Sequence, residues 1–461
     1  MCYDTSMMSK LGRILLGSVF IMVGFIVSAA SFQPPIHLQD PHSSEAMLAD
    51  REFIGPLEPN EQAVADRLRI SLTTMGRGDP LYVWFGHSGL VVTDSQNGRS
   101  VMYDYGIFSF DDDFYRTFAL GRLNYEVWAT SEPARNDLAI EEDRTITKIS
   151  LDLPASSKLE LVNFLNYNVQ PEHNTYLYHH YRENCSTRIR DLIDKAVGGE
   201  FKTWATSIEY DQTLRQMVMR HTAVSPFVDW VLNFLQSGSI DKPITLWEAM
   251  FLPEVLEQAL LEFHYADGRP IVNDSETIHT ATEGIRPPVL DTWRSMTIPG
   301  MLFGLSLGLL SLFFGRVMTE SKFATIRRTG LLFHGLINFL WTFATGLLSI
   351  LLVFMMFASN HDVTYFNENI LFVTPWLMVM AFQALRSAFG HEKSLSRFRK
   401  ANTVMLLLVG IVVVLKGVLF DVMIQRNWQI IFTMLPLYVC NSTIPFERLF
   451  RRKSRFPLDN N

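Results

Sequence analysis

The sequence predicts an α+β domain built on an antiparallel sheet, followed by an all-α transmembrane bundle. Three observations carry this reading. The chain has 461 residues, 48% of them hydrophobic, and its long charge-poor windows fall almost entirely after residue 296. Between residues 67 and 153, apolar and aromatic runs alternate with turn clusters, whereas helical periodicity begins only beyond them, so strands and helices are segregated. Finally, a histidine on an aromatic strand and a cysteine opening a helix stand about a hundred residues apart in that first part.

At the N-terminus Lys10 and Arg13 precede the apolar run Ile14–Val27 and the small residues Ser28 to Ser31, so residues 1–32 read as a signal anchor or a cleaved signal peptide. Residues 33–60, rich in Pro, Asp, Glu and Ser, read as an extended lead. Strands are expected at Arg67–Thr74, Tyr82–Thr93, Ser100–Ile107, Arg122–Thr130 and Thr145–Leu153. Turn clusters at Gly76 to Pro80 and Asp94 to Gly98 separate the first three. Helices are expected at Ser156–Tyr167, Asn184–Val197, Ser225–Leu235 and Thr245–Phe263. The windows Ile298–Gly315, Leu331–Ala358, Ile370–Leu385, Thr403–Ile424 and Trp428–Ile444 read as five transmembrane helices.

Charge sets the expected orientation. Lys10 and Arg13, the 316–330 loop (Arg316, Lys322, Arg327, Arg328), the 386–400 loop (Arg386, Lys393, Arg397, Arg399, Lys400) and the tail (Arg448, Arg451, Arg452, Lys453, Arg455) belong in the cytoplasm by the positive-inside rule. Residues 33–296 then form an outward-facing domain and 297–461 a five-helix membrane domain. The outward part holds 39 acidic against 22 basic residues and the remainder 8 against 18. An acidic external domain lacks the clustered Lys and Arg that phosphates require, so nucleic acid is not an expected partner.

Three cysteines are too few for a disulfide framework: Cys2 is at the extreme N-terminus, Cys440 falls in the last apolar window, and Cys185 stands alone outside. In Glu183-Asn-Cys185-Ser-Thr-Arg-Ile-Arg-Asp191, Asn184 can cap a helix whose positions Ile189, Leu192 and Ile193 face a core. That puts the sulfur in the first turn, where N–H dipoles favour thiolate. His87 lies in Tyr82-Val-Trp-Phe-Gly-His87-Ser-Gly-Leu-Val-Val92, flanked by Gly86 and Gly89. If the next strand pairs as a hairpin, Asp104 or Tyr103 falls beside the imidazole, and a carboxylate is the better orienter because it fixes the tautomer and stabilises the protonated ring. Cys185, His87 and Asp104 are therefore the candidate catalytic residues, with Tyr103, Tyr105, Asn184 and Ser186 in support.

Metal binding is the natural competitor, since His173, His179 and His180 lie upstream of Cys185 and Asp111, Asp112 and Asp113 form an acidic run. Their spacings fit no closed zinc pattern, so neither a metal nor a cofactor is expected and the acidic run reads as a solvated loop or helix cap. Tyr176, Tyr178 and Tyr181 read as rings packed over the sheet. In the membrane half His334 and Asn338 share a helix face, and Lys416 and Asp421 lie in a later window. These are candidates for packing or a substrate channel.

The Phe-Gly-His-Ser strand, Tyr103-Asp-Tyr-Gly-Ile-Phe-Ser-Phe110, the Phe118…Gly121…Tyr125 stretch and Asn184-Cys-Ser-Thr-Arg-Ile-Arg-Asp191 resemble the periplasmic domain of the bacterial Lnb-type lipoprotein N-acyltransferase family. His361-Asp362…Thr364…Asn367-Glu-Asn369-Ile-Leu371…Pro375 resembles its membrane half. The order of His before Cys is also similar to the circularly permuted papain-like fold. The resemblance implies an inner-membrane enzyme with its catalytic domain in the periplasm. It would pass an acyl chain from a phospholipid donor, through a Cys185 thioester, to the amine of a diacylated lipoprotein acceptor. It further implies an oxyanion held by the Cys185 N–H and a second donor, Asn184 or a nearby Tyr.

By the orientation above, the loop Ser359–Asn369 faces outward, so His361, Asp362, Asn367, Glu368 and Asn369 are candidate substrate-binding residues at the membrane interface. Two other classes stay open: a papain-like peptidase or amidase acting on cell-wall peptides, and a non-catalytic envelope protein in which Cys185 is merely buried.

Overall fold

The computed structural model describes residues 40–110, 112–286, 289 and 297–444. The N-terminal apolar segment, Cys2, Asp111 and the basic tail beyond 444 lie outside the described residues. Two compact units emerge, neither continuous in sequence. The first takes in residues up to Ser225, Ser239–Trp293 and Ala358–Val363; the second takes in Pro226–Gly238, Arg294–Phe357 and the chain from Thr364.

In chain order the elements of the first part are α1 Ser44–Leu48, α2 Pro59–Arg67, β1 Leu68–Met75, β2 His87–Asp94, β3 Arg99–Ile107, α3 Phe114–Ala119, β4 Asn124–Ser131, α4 Glu132–Glu141, β5 Ile146–Leu151, α5 Ala155–Asn168, β6 Thr175–Leu177 and α6 Cys185–Ala196. There follow α7 Glu200–Thr206, β7 Glu209–Tyr210, α8 Leu214–Thr222, α9 Pro226–Leu235, β8 Ile244–Thr245, α10 Leu246–Ala249, α11 Pro253–Glu262 and β9 Val272–His279. A seven-stranded sheet runs in the order β6-β4-β3-β2-β1-β5-β9, with every neighbouring pair antiparallel. The first unit is thus α+β, as its sequence predicts.

Alternation along the strands divides the core. Leu90, Val92, Tyr103 and Tyr105 join Ile189, Leu192 and Ile193 of α6 in the main core, while Val91 and Met102 meet Ala139 of α4 in a smaller one. Helices therefore cover both sheet faces, which is why β1 is buried at seven of its eight positions.

Several expectations are corrected. The strand foreseen at Tyr82–Thr93 begins only at His87: Leu81–Val83 is a single 3-10 turn, and Gly86 at φ +77 turns the chain before pairing starts. Residues 40–58 are not an extended lead, because Leu48 and Phe53 enter the main core. The helix foreseen at Thr245–Phe263 is two, since Pro253 opens a new one. The edge strands β6 and β9 and helix α4 were not foreseen. Strand β9 is polar and exposed along most of its length, so alternation does not reveal it.

The second unit contains α9 and α12 Thr297–Leu312, which runs on as a π-turn to Val317, α13 Ala324–Ala358, α14 Trp376–Ala388, α15 Glu392–Val418 and α16 Trp428–Asn441. Each of the five apolar windows holds a helix. Those at Thr297–Val317, Ala324–Ala358 and Glu392–Val418 are long and apolar enough to cross a membrane, while α14 and α16 have 13 and 14 residues. The window Ile370–Leu385 becomes helical only at Trp376, after a 3-10 turn at Glu368–Leu371 and Pro375.

Small residues let these helices touch at backbone distance. A Cβ at Gly304 would lie 2.1 Å from the carbonyl oxygen of Thr433 in α16, a space only glycine leaves open. Polar groups then close a ring across three helices. Ser311 Oγ donates to Asn441 Oδ1 at 2.7 Å, Asn441 Nδ2 to Asn338 Oδ1 at 2.9 Å, and Asn338 Nδ2 back to Ser311 Oγ at 2.7 Å. His334 Nδ1 lies 3.1 Å from the same hydroxyl. Lys416 pairs with Glu368 and donates to the Gln425 carbonyl at 2.7 Å; Asp421 is exposed.

Candidate active site

Helix α6 is placed by its cap. Asn184, in extended backbone, accepts from the N–H groups of Ser186 at 2.9 Å and Thr187 at 2.8 Å. Thr187 Oγ1 accepts in return from Asn184 N–H at 2.9 Å, completing a reciprocal cap of about 1 kcal/mol. Cys185 is thereby the first helical residue. Its own N–H, like all those in a first turn, has no carbonyl within the helix to bind. Ser186 is wholly buried and donates from Oγ to the Met250 carbonyl at 2.7 Å. Both amide hydrogens of Asn184 are spent, on His180 O at 2.7 Å and Phe251 O at 2.9 Å. This removes Asn184 as the second oxyanion donor.

The β2–β3 register sets Gly89 opposite Asp104. His87, two residues back on the same face as Gly89, is then the diagonal neighbour of Asp104, and its Nε2 hydrogen-bonds Asp104 Oδ1. Tyr103 points to the opposite face, where its hydroxyl donates to Asn166 Oδ1 at 2.8 Å, and Tyr105 does the same to Asn168 Oδ1 at 2.7 Å. With Nε2 held by the carboxylate, Nδ1 is the ring nitrogen left for the hydrogen bond with Cys185.

Asp104 is buried on the face covered by α4, and from there Arg135 Nε donates to its second oxygen at 2.7 Å. Glu132, at the start of α4, is pinned to the sheet by Lys148 at 2.6 Å, which holds Arg135 in reach. Nothing in the sequence pattern points to Arg135, because its helix has no strong apolar stripe.

Burial pushes each member of this set toward its neutral form, and their mutual contacts outweigh it. Burial would lower His87, but Asp104 and the Cys185 sulfur raise it from 6.5 to about 9. Burial would raise Asp104, but His87 and Arg135 hold it down at about 2. Burial would raise the Cys185 thiol, but the imidazolium, its hydrogen bond and the Ser88 N–H bring it below its usual value. The arrangement favours a thiolate–imidazolium pair braced by a carboxylate, the form in which a cysteine attacks a carbonyl.

Gly106 borders the reaction space. It sits at φ +95, and a Cβ there would lie 3.7 Å from Cys185 Cβ, 3.9 Å from His87 Cε1 and 4.0 Å from the Tyr176 hydroxyl. That hydroxyl is buried and has no hydrogen-bond partner among the described residues. The period-2 spacing of Tyr176 and Tyr178, on and just after a strand, was the available sequence signal for it.

The interface cluster divides between the two units. In the first, His361 Nε2 bonds the Phe118 carbonyl at 2.7 Å, and Asp362 takes His179 Nε2 at 2.8 Å and Arg182 at 2.7 Å. In the second, Asn367 Nδ2 donates to the carbonyls of Phe234 and Leu235, both at 2.9 Å. Asn369 Nδ2 also donates to Phe234 at 2.9 Å, and Glu368 Oε1 accepts from Gln425 N at 3.0 Å.

The histidines upstream of Cys185 scatter. His180 lies among Phe85, Tyr181 and Phe251, and burial lowers it to about 3; His173 stacks on Tyr167. Among the described residues no group of three or more His, Cys, Asp or Glu could hold a metal.

An α+β domain with a Cys–His–Asp constellation, joined to apolar helices long enough to cross a bilayer, defines a membrane protein with a thiol site. Residues 58–220 match the family model of the Lnb N-terminal periplasmic domain and residues 307–441 that of the Lnb transmembrane domain. The two models together take in well over half of the chain, in this order, and the chain belongs to the Lnb family. No curated protein and no solved structure matches it. It is therefore a membrane protein with a periplasmic N-terminal domain.

Proposed function

We propose that this protein is a thiol-dependent acyltransferase of the bacterial inner membrane, moving an acyl chain from a phospholipid to the N-terminal amine of diacylglyceryl-cysteine lipoproteins. The observation that carries the reading is the placement of Cys185 beside His87, whose Nε2 is bonded to Asp104, itself held by Arg135. In this reading the loops at 316–330 and 386–400 and the C-terminus are cytoplasmic.

The chemistry has two halves. The Cys185 thiolate attacks the ester carbonyl, and the tetrahedral oxyanion rests on the Cys185 N–H, which the helix leaves unpaired, and on the Tyr176 hydroxyl. Collapse breaks the bond to the glycerol oxygen, which takes the proton of the His87 imidazolium. Lysophospholipid leaves and a Cys185 thioester remains. The acceptor amine then attacks the thioester carbonyl, His87 takes the amine proton, and the thiolate departs from the new amide. Asp104 keeps Nε2 protonated throughout, and Arg135 keeps Asp104 ionised. His361 and Asp362 form the membrane-side wall of the site, while Asn367, Glu368 and Asn369 act as positioning residues within the membrane unit.

Purified protein incubated with acyl-labelled phospholipid tests this by mass spectrometry. The reading requires a labelled acyl adduct on Cys185 that a diacylated lipopeptide discharges. Peptide cleavage without an adduct would replace the transferase with a hydrolase.

A further inference from the structure

Beside the thiol site runs a feature that the chemistry above does not use. Five rings stack in sequence. Tyr178 lies on Tyr125 at 4.2 Å between centroids, Tyr125 on Phe108 at 4.9 Å, Phe108 on Phe114 at 5.9 Å, and Phe114 on Phe118 at 6.1 Å. Phe110 packs edge-on to Phe114 at 4.7 Å and Tyr82 edge-on to Phe108 at 5.7 Å. The inner end of this ladder belongs to the site: Tyr125 pairs with Tyr176 across β4 and β6, and the Tyr176 hydroxyl and Cys185 Cβ lie 4.0 and 3.7 Å from a Cβ built at Gly106. The outer end is open, with Tyr82, Phe110 and Phe118 exposed by 50% or more. Large rings held out in this way mark a surface with an apolar partner.

Chain connectivity says which partner. The outer end is tied to residues 360 and 361: Asn360 N–H donates to the Leu120 carbonyl at 2.8 Å, Arg122 Nε to Asn360 Oδ1 at 2.9 Å, and the ring of Phe118 meets that of His361 at 5.8 Å. Asn360 is two residues past the end of Ala324–Ala358, a 35-residue apolar helix fit to cross a bilayer. Chain connectivity thus tethers this surface within two residues of the end of a helix fit to cross a bilayer, and aromatic side chains and lipid ester groups both reside at bilayer boundaries.

We propose that the ring ladder from Phe118 to Tyr178 is an acyl-chain track that takes one fatty-acyl chain of a membrane phospholipid at the bilayer boundary and leads its ester carbonyl to Cys185. The proposal rests on the acyltransferase reading for its inner end only. Its outer end requires lipid contact whatever the thiol does.

Photo-crosslinking separates the two. Benzoylphenylalanine replaces Phe110 or Phe114 in the full-length protein, reconstituted in vesicles of phosphatidylethanolamine and phosphatidylglycerol. Leu138, exposed on α4, carries the same probe as control. The track predicts phospholipid adducts at both ring positions roughly tenfold above the control, the ratio expected from burying two methylenes. The same yield is expected in Cys185→Ala. Adducts no more frequent than at Leu138, or formed only with a second protein chain or only after a diacylated lipopeptide is added, would overturn the track. A thioester on Cys185 with no crosslinking removes the track and leaves the transferase. Crosslinking without a thioester does the reverse.

Discussion

Asp104 is shared between two side chains on its two oxygens: His87 binds Oδ1 and Arg135 reaches Oδ2 at 2.7 Å. A buried carboxylate with both oxygens engaged is kept charged and oriented, and it passes that charge to the imidazole. Arg135→Gln is expected to slow formation of the Cys185 acyl adduct by roughly tenfold or more, as for other residues that orient a catalytic group. Arg135→Lys, which keeps the charge but loses the planar fork, is expected to fall between. A single-turnover time course measures both, and equal rates in all three proteins would remove Arg135 from the mechanism.

The thiol should titrate below the range of a free cysteine. Alkylation of Cys185 followed against pH is expected to give a midpoint under the ordinary value of about 8.5. In His87→Ala the cation and its hydrogen bond are gone while burial remains, so the midpoint should move above that value. The sign for stability follows from the imidazole. Its folded value of about 9 exceeds the unfolded 6.5, so the stabilisation is complete below about pH 6.5 and is lost as pH rises through 9. The lowered Cys185 thiol contributes with the opposite sign over that window. The fall in melting temperature with rising pH is therefore expected in Cys185→Ser, where the imidazole titrates against Asp104 without the thiol, and not in the Cys185→Ser, His87→Ala double variant.

A methyl group at position 106 should block the site. Gly106→Ala carries the strain of a left-handed residue, about 1–2 kcal/mol, and also thrusts carbon to 3.7 Å from Cys185 Cβ. Gly98→Ala, at φ +67 with nothing within 4 Å, carries the strain alone. Similar losses of melting temperature but a much greater loss of Cys185 alkylation rate in Gly106→Ala are expected. Equal alkylation rates would place Gly106 outside the reaction space.

Tyr176→Phe removes a hydroxyl that has no partner among the described residues, so stability should hold. If that hydroxyl serves the oxyanion, acyl transfer should drop by about 10²-fold, typical of one lost donor. The alkylation midpoint, which involves no oxyanion, should stay in place. Unchanged transfer would assign the second donor elsewhere.

Asn367→Ala takes the side-chain donor from the Leu235 carbonyl of α9, and Asn369→Ala leaves the Phe234 carbonyl with Asn367 alone and takes the acceptor from Asn427 Nδ2, each at about 1–3 kcal/mol. Lower yield and melting temperature in detergent are expected, with activity per folded molecule reduced less than abundance. Normal abundance together with normal activity would discard both residues from the machinery.

Much of the site was legible because it rests on local rules. Asn184 ahead of Cys185 announces a capped helix, and the alternation through Leu90 to Val92 and Met102 to Tyr105 announces paired strands. The hairpin argument narrowed the third member to Asp104 or Tyr103, and the choice then followed from which sheet face each occupies. Arg135 was invisible, since its helix shows no apolar stripe and its contact spans thirty-one residues. The cluster from His361 to Asn369 looked like one group because it is contiguous, yet its two ends bond to different units.

Composition and periodicity were sufficient for the α+β domain, the apolar membrane half and the placing of Cys185 at a helix start, since each depends on a residue's own chemistry and its near neighbours. Folding alone settled that Asp104 rather than Tyr103 faces His87, that Arg135 reaches its other oxygen, and that the Tyr176 hydroxyl and Cys185 both border Gly106. Those relationships join residues far apart along the chain, and their distances depend on strand register and on which sheet face a helix covers, neither of which is written in any one segment.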